Sequence, residues 1–274
     1  MVVMSAPAVA ATTEEAAIEN DEVVETPVLE LGDPSESLSK SSHTSITFIV
    51  AQKLGLSWYR SYVMSYAAKL PDDYQSGISN GFNQQWSHAY IYTKTLWWTW
   101  HCWGDADEDF RDNLLGGGDS WGGGSAAYWY TRNYQIYGDW YVGYASHYIQ
   151  DVSFGKLHTT IPGWNLAVHH GDYESWIANN WETGHRFADT VRGVSKYSYY
   201  SFSNLKGAIR SAAKYGYQSS TSNNAWNNYK ASGFPTGAGS GNWAAVYYTR
   251  LMLQRSTKWT GGTIKYALNR YNEW

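Results

Sequence analysis

Apolar positions in this chain recur mostly at intervals of three and four. In HTSITFIVAQKLGL (43–56), Ile46, Ile49, Val50 and Leu54 fall at helical spacing, and Ser41 or Ser42 is placed to cap the start. The same spacing predicts helices over 57–69, 85–100, 125–153, 170–190, 203–215 and 242–255. Strict alternation, the mark of a half-buried strand, is scarce. The runs LLGGGDSWGGGS (114–125) and KASGFPTGAGSGN (230–242) mark loops. Residues 11–42 are acidic, rich in Ser and Thr and poor in large apolar side chains, which reads as disorder or a propeptide. The pattern therefore predicts an all-α chain: one multi-helix domain over 43–274, without internal repeat, behind an acidic leader at 1–42.

Charge separates the same two parts. Residues 1–42 hold nine acids and one base, so the overall net charge of −4 becomes +4 over the remainder. The acidic excess belongs to the leader and says little about the domain's partners. No run of Lys and Arg suggests a nucleic-acid stripe. The lone Cys102 excludes an intrachain disulfide framework and cysteine-rich zinc modules. No stretch reaches the ~18 apolar residues of a membrane span. The opening MVVMSAPAVAATTEE is similar to the end of a secretory signal, with small residues at Ala8 and Ala10 but no basic n-region, and export is the expectation. The 16 Trp and 24 Tyr suit a protein that handles sugars, lipids or an interface, and equally a tyrosine-rich core and surface.

Candidate chemistry sits in HYIQDVSFGKLH (147–158). His147 and Asp151 are four apart and share a helix face, so both can reach one cation. His158 follows past Gly155, where the chain can turn. HGDYE then supplies His170 and Glu174, again four apart, giving five nitrogen or oxygen donors within 28 residues. Neutral imidazole and carboxylate are the usual zinc ligands where Cys is absent. His169 lacks a carboxylate four residues on, and His185 has no partner at useful spacing. The acidic run Asp105 to Asp109 reads as a solvated loop.

These stretches resemble the zinc-dependent phospholipase C family, which includes the bacterial alpha-toxins, and more distantly the S1/P1 nucleases. The family signature reads H-Y-x-x-D, a short turn, H, then H-x-x-x-E. This chain has seven steps from Asp151 to His158 where the family has six, and Gly155 stands near the family's proline. SSHTSITFIV resembles the family's first helix, which would make His43 a ligand. LPDDYQSGISNGFNQQWSHAY resembles the stretch where an Asp-Tyr pair precedes a Ser-His pair, which maps to Asp73 with Tyr74 and to Ser87 with His88. Asp72 competes with Asp73, and His101 with His88.

The resemblance implies a cleft with two to three zinc ions. One would be held by Asp73, His88, His147 and Asp151, and a second by His158, His170 and Glu174. A third would be shared between His43 and a bridging Asp151. The family completes that third site with an N-terminal tryptophan. No Trp precedes His43 here, so either a processed N-terminus near 30–42 takes its place or the site is weak or absent. The toxins add a C-terminal β-sandwich membrane module for which the chain leaves no room after its helices, so a free-standing hydrolase is expected.

The activity implied is phosphodiester hydrolysis. Zinc lowers the pKa of bound water from ~15.7 to roughly 7, and neighbouring ions ~3.5–4 Å apart clamp the attacking and leaving oxygens. Asp73 is the candidate general base. The expected substrate is a phospholipid with a phosphocholine-type head group, met in transient membrane-surface contact by a secreted monomer. Cleft aromatics would hold the quaternary ammonium or, on the alternative reading as a nuclease, stack bases. A non-catalytic zinc-binding, membrane-associating protein is the reading of a different class.

Overall fold

The computed structural model describes residues 42–72, 91–94, 100–103, 105–117, 124–159 and 164–274. Over these the protein is all-α, with one short two-stranded antiparallel ladder. The leader at 1–42 lies outside the described residues apart from Ser42.

Helix α1 (Ser42–Lys53) opens the described chain, and α2 (Trp58–Ala67) follows after a short turn. Ser57 caps α2 by accepting the Arg60 amide. A helical turn at 70–72 leads out of the described residues. Strands β1 (Ile91–Lys94) and β2 (Trp100–Trp103) then pair with Ile91 opposite Trp103 and Lys94 opposite Trp100. This overturns the helix expected over 85–100 at the residues of that stretch that are described, 91–94 and 100. Ile91, Tyr92 and Thr93 are β-branched or aromatic, and their preference for a pleated surface outweighs the helical spacing.

Helix α3 (Ala106–Leu115) corrects a second expectation, since the acidic run 105–109 forms its first turn rather than a solvated loop. Carboxylates are favoured where the helix dipole is positive. Two of them also find partners on a distant helix, Asp107 with Arg210 and Glu108 with Lys206. The stretch 125–153 divides into α4 (Ala126–Tyr130), capped by Ser125, and α5 (Gln135–Ser153). Asn133, at φ +62°, makes the break. A 3-10 turn (Lys156–His158) precedes α6 (Trp164–Asn179), and α7 (Phe187–Gly193) is separate, so the expected 170–190 helix is also divided.

The last three helices are each capped by a side chain: α8 (Leu205–Gln218) by Asn204, α9 (Ser220–Ala231) by Ser219 and α10 (Trp243–Tyr271) by Asn242. Helix α9 has no counterpart in the sequence reading, and α10 runs well past the expected 255. Both glycine-rich runs are loops where described, apart from their first two residues, which end α3 and α9. Among the described residues no helix is long and apolar enough to cross a membrane.

Helix α5 lies at the centre, with α1, α2, α3, α4, α8 and α10 packed against it. Its Val142, Ala145, Ile149 and Val152 are buried in the core. Gly143 lets α2 approach closely, because a Cβ there would run into the Met64 carbonyl. At its N-terminal end a buried bidentate pair fixes α2 to α5, with Arg60 donating to both oxygens of Asp139 at 2.7 and 2.8 Å. Tyr130 of α4 donates to the same carboxylate at 2.7 Å, and Arg60 also donates to the Glu273 carbonyl. The C-terminal end of α5 carries His147 and Asp151, so the element anchored best in the core positions the candidate ligands.

Candidate metal centre

Five helical segments bring their side chains to the C-terminal end of α5. His147 and Asp151 sit one turn apart on it, both buried, and Asp151 Oδ2 lies 3.1 Å from His147 Nε2. The other oxygen of Asp151 faces outward to His43 Nε2 at 3.3 Å on α1 and to His158 Nε2 at 3.8 Å. His158 reaches the site because α5 stops at Ser153 and Gly155, at φ +120°, reverses the chain into the 3-10 turn. Helix α6 adds His170 and Glu174 on one face, with Nε2 and Oε1 2.9 Å apart, and Glu174 Oε1 is also 3.8 Å from His158 Nε2. Asp72, just beyond α2, places Oδ1 3.6 Å from His147 Nε2.

The donors form two groups of three, His43–Asp72–His147 and His158–His170–Glu174, each with ligand atoms within 4.8 Å of one another. Asp151 stands between the groups and touches both. Atoms bound to one zinc at ~2.0–2.2 Å lie no more than about 4.4 Å apart, so a group at the wider spacing must draw in by a few tenths of an ångström. The buried floor is His147 and Asp151. The rim is open, with Asp72 and Glu174 exposed at 51% and 46%.

Neighbouring groups orient the imidazoles. His147 Nδ1 donates to the Ala68 carbonyl at 2.7 Å, which directs Nε2 at the two aspartates. His43 Nδ1 donates to Gln150 Oε1 at 2.9 Å, and Gln150 in turn donates to Thr47 Oγ1, which leaves Nε2 toward Asp151. A metal-binding histidine ordinarily spends its second nitrogen in this way. The donor set thus suits zinc, whose ligands here would be His43, Asp72 and His147 on one side, His158, His170 and Glu174 on the other, and Asp151 between. Beside them a small cavity of about 20 Å³ is lined by His43, Asp151, His158 and Ser256, and the buried Ser256 Oγ has no hydrogen-bond partner.

Electrostatics follow the geometry. Burial pushes the His147 pKa down, but the charges of Asp151 and Asp72 outweigh it and raise it to about 9. Burial disfavours a charged Asp151, yet His147, His158 and His43 hold its carboxyl well below the usual range. His158 is raised, since Asp151 and Glu174 outweigh its burial, and Glu174 is lowered by its bonds to His158 and His170 against its own burial.

Of the residues chosen from sequence, His43, His147, Asp151, His158, His170 and Glu174 come together. Asp73 and His88 lie outside the described residues, and of His101 only its place in β2 is described. Asp72, ranked behind Asp73 in the sequence, is the neighbour with a carboxylate at the rim. His169 stacks on Phe234 and bonds Asp172, and His185 bonds the Ser240 carbonyl, so both have structural partners away from the centre. Gln150, Ala68 and Ser256 were missed. Gln150 alone had a signal, its place beside Asp151 in HYIQD. No protein family, curated protein or solved structure matches the chain.

Proposed function

We propose that this protein is a zinc-dependent phosphodiester hydrolase, of the phospholipase C type that its motifs resemble. The observation that carries this reading is the arrangement around Asp151: two histidine–carboxylate groups joined by one buried carboxylate and open at the rim. Structural zinc sites close their shell of four ligands, whereas a site that does chemistry keeps positions free. Zinc held here would act as a Lewis acid toward phosphoryl oxygens and bring water within reach of deprotonation near neutral pH.

The chain's own residues supply the rest. His147 and Asp151 form a rigid floor, because α5 is buried along most of its length. Gln150 and Ala68 hold two imidazoles in the orientation a cation needs. A rim carboxylate accepts the proton of the attacking water. Asp73 was the sequence choice for that role, and Asp72 competes for it from 3.6 Å beside His147. Phe154 flanks the cavity and offers an apolar face to a quaternary ammonium. Trp243, 76% exposed, stacks on the exposed Tyr247, which suits contact with a phospholipid surface. Secretion completes the proposal and rests on the composition of the leader.

Turnover of a chromogenic phosphocholine ester tests the reading. Hydrolysis should vanish on chelation and return with added zinc. Cleavage of single-stranded nucleic acid in preference to phosphatidylcholine would move the protein to the nuclease alternative. Zinc binding without turnover of either would leave only a binding protein.

A further inference from the structure

Away from the metal centre, α10, α8, the start of α9 and Tyr200 line a second, half-open cavity of about 160 Å³. One water needs roughly 10–15 Å³, so a tetrahedral oxyanion has room. Arg255 and Lys258, on one face of α10, line it with Tyr200, Tyr215 and Thr221. Arg60, Arg186, Arg192, Lys206 and Arg210 each meet a carboxylate. Arg255 and Lys258 meet none among the described residues, and Arg255 Nη1 is buried without a hydrogen-bond partner.

A buried donor on a charged group is costly to leave unmatched. The guanidinium lies over the ring of Tyr215, which orients its fork. Burial lowers its pKa, offset only in part by the Tyr200 hydroxyl beside it, so the neighbourhood opposes the charge. Thr221 stands in the first turn of α9, where the helix dipole adds partial positive charge. Tyr200 and Thr221 bring hydroxyls to the same space, and Tyr215 donates its own to Thr221 Oγ1. Two cations with hydroxyl donors match an anion of many oxygens better than a two-oxygen carboxylate.

We infer that this cavity is a binding site for a phosphate group, distinct from the metal centre and independent of the proposed hydrolysis. The group comes either from free phosphate or from the exposed phosphomonoester of an anionic lipid.

Calorimetric titration of the full chain with inorganic phosphate at constant ionic strength tests it. Arg255→Gln should weaken binding at least about tenfold, equivalent to about 1.4 kcal/mol. Lys258→Gln, less central to the fold, should weaken it less and provides the test if Arg255→Gln does not fold. On chelated protein, where no zinc offers a second phosphate site, parent and Asp151→Asn should bind phosphate equally, so failure of the metal-centre reading does not disturb this one. Co-sedimentation with phosphatidylcholine vesicles, with and without phosphatidic acid, separates the sources. Capture that needs both phosphatidic acid and Arg255 assigns the lipid, and phosphate binding without capture assigns the free ion. The inference is overturned by no binding up to about 10 mM phosphate, by equal affinity for acetate, or by binding that survives both cavity substitutions but is lost on chelation.

Discussion

Asp151 Oδ2 lies 3.1 Å from His147 Nε2, one helical turn back on α5, while the opposite ring nitrogen of His147 donates to the Ala68 carbonyl. Both nitrogens therefore have acceptors, and the imidazolium is the form this pocket favours. With its pKa raised to about 9, His147 carries its second proton at neutral pH when no metal is bound. Zinc needs that Nε2 lone pair and must displace the proton. Zinc uptake at pH 7.5 should release protons, and apparent affinity should rise with pH up to about 9. Titration calorimetry in buffers of different ionisation enthalpy measures the release. A pH-independent affinity between 7 and 9 would remove His147 from the ligands.

The same shift sets the stability of the metal-free protein. The folded-state pKa of His147 is raised from 6.5 to about 9, so its contribution is fully present below 6.5 and is lost as pH rises through 9. His158, also raised, acts in the same direction. The unfolding free energy of chelated protein, from denaturant titration, should fall between pH 6.5 and 9, by up to ~3 kcal/mol at about 1.36 kcal/mol per pKa unit. His147→Gln should flatten that profile.

Among the described residues Asp151 touches His43, His147 and His158, whereas Glu174 touches His158 and His170. Asp151→Asn keeps the shape and removes the charge both groups share. It should lower bound zinc by more than one ion per chain and abolish phosphodiester turnover. Glu174→Gln should lose about one ion, and excess zinc should partly restore its activity by mass action. Equal zinc content in Asp151→Asn and the parent would mean that Asp151 joins nothing.

What the sequence made legible was local. The pairs His147–Asp151 and His170–Glu174 were readable because a helix puts residues four apart on one face. The turn at Gly155 was readable from glycine alone, and the structure shows why it must be glycine: φ is +120° and a Cβ would lie 2.8 Å from Ser222 Oγ. The Ala68 carbonyl was not legible, since a backbone acceptor from another segment leaves no mark in composition. Ser256 on α10 reaches the cavity only through tertiary packing. The misread 85–100 stretch is dense in aromatics and β-branched residues, which satisfy helical and strand patterns together. The acidic run at 105–109 looked solvated because its partners, Lys206 and Arg210, lie a hundred residues away.

The buried Arg60–Asp139 pair predicts a defect in stability without one in metal binding. Asp139 lies twelve residues before Asp151, about 18 Å along the helix at ~1.5 Å per residue. Asp139→Ala leaves Arg60 charged and buried, which should cost about 3–5 kcal/mol in denaturant unfolding. Zinc per folded chain should not change. Loss of metal in protein that remains helical would show that the anchor transmits strain to the site.

Asp72 and Asp73 are adjacent in the sequence, and of the two Asp72 lies among the described residues. Asp72 faces His147 at 3.6 Å and is 51% exposed, the position of a group that meets both the centre and incoming water. A general base contributes about 10²–10⁴-fold to rate. Asp72→Asn should therefore lower phosphocholine-ester turnover at least about 100-fold. Its zinc loss should be confined to the His43–His147 side, at no more than one ion. Asp73→Asn should keep turnover within about threefold, well short of the loss a general base would cause. Added zinc separates the roles. Loss of the base persists at saturating zinc, whereas loss of a ligand alone yields to it. Full activity in Asp72→Asn with none in Asp73→Asn would return the role to Asp73, and would mean that the 70–72 turn rotates when zinc binds.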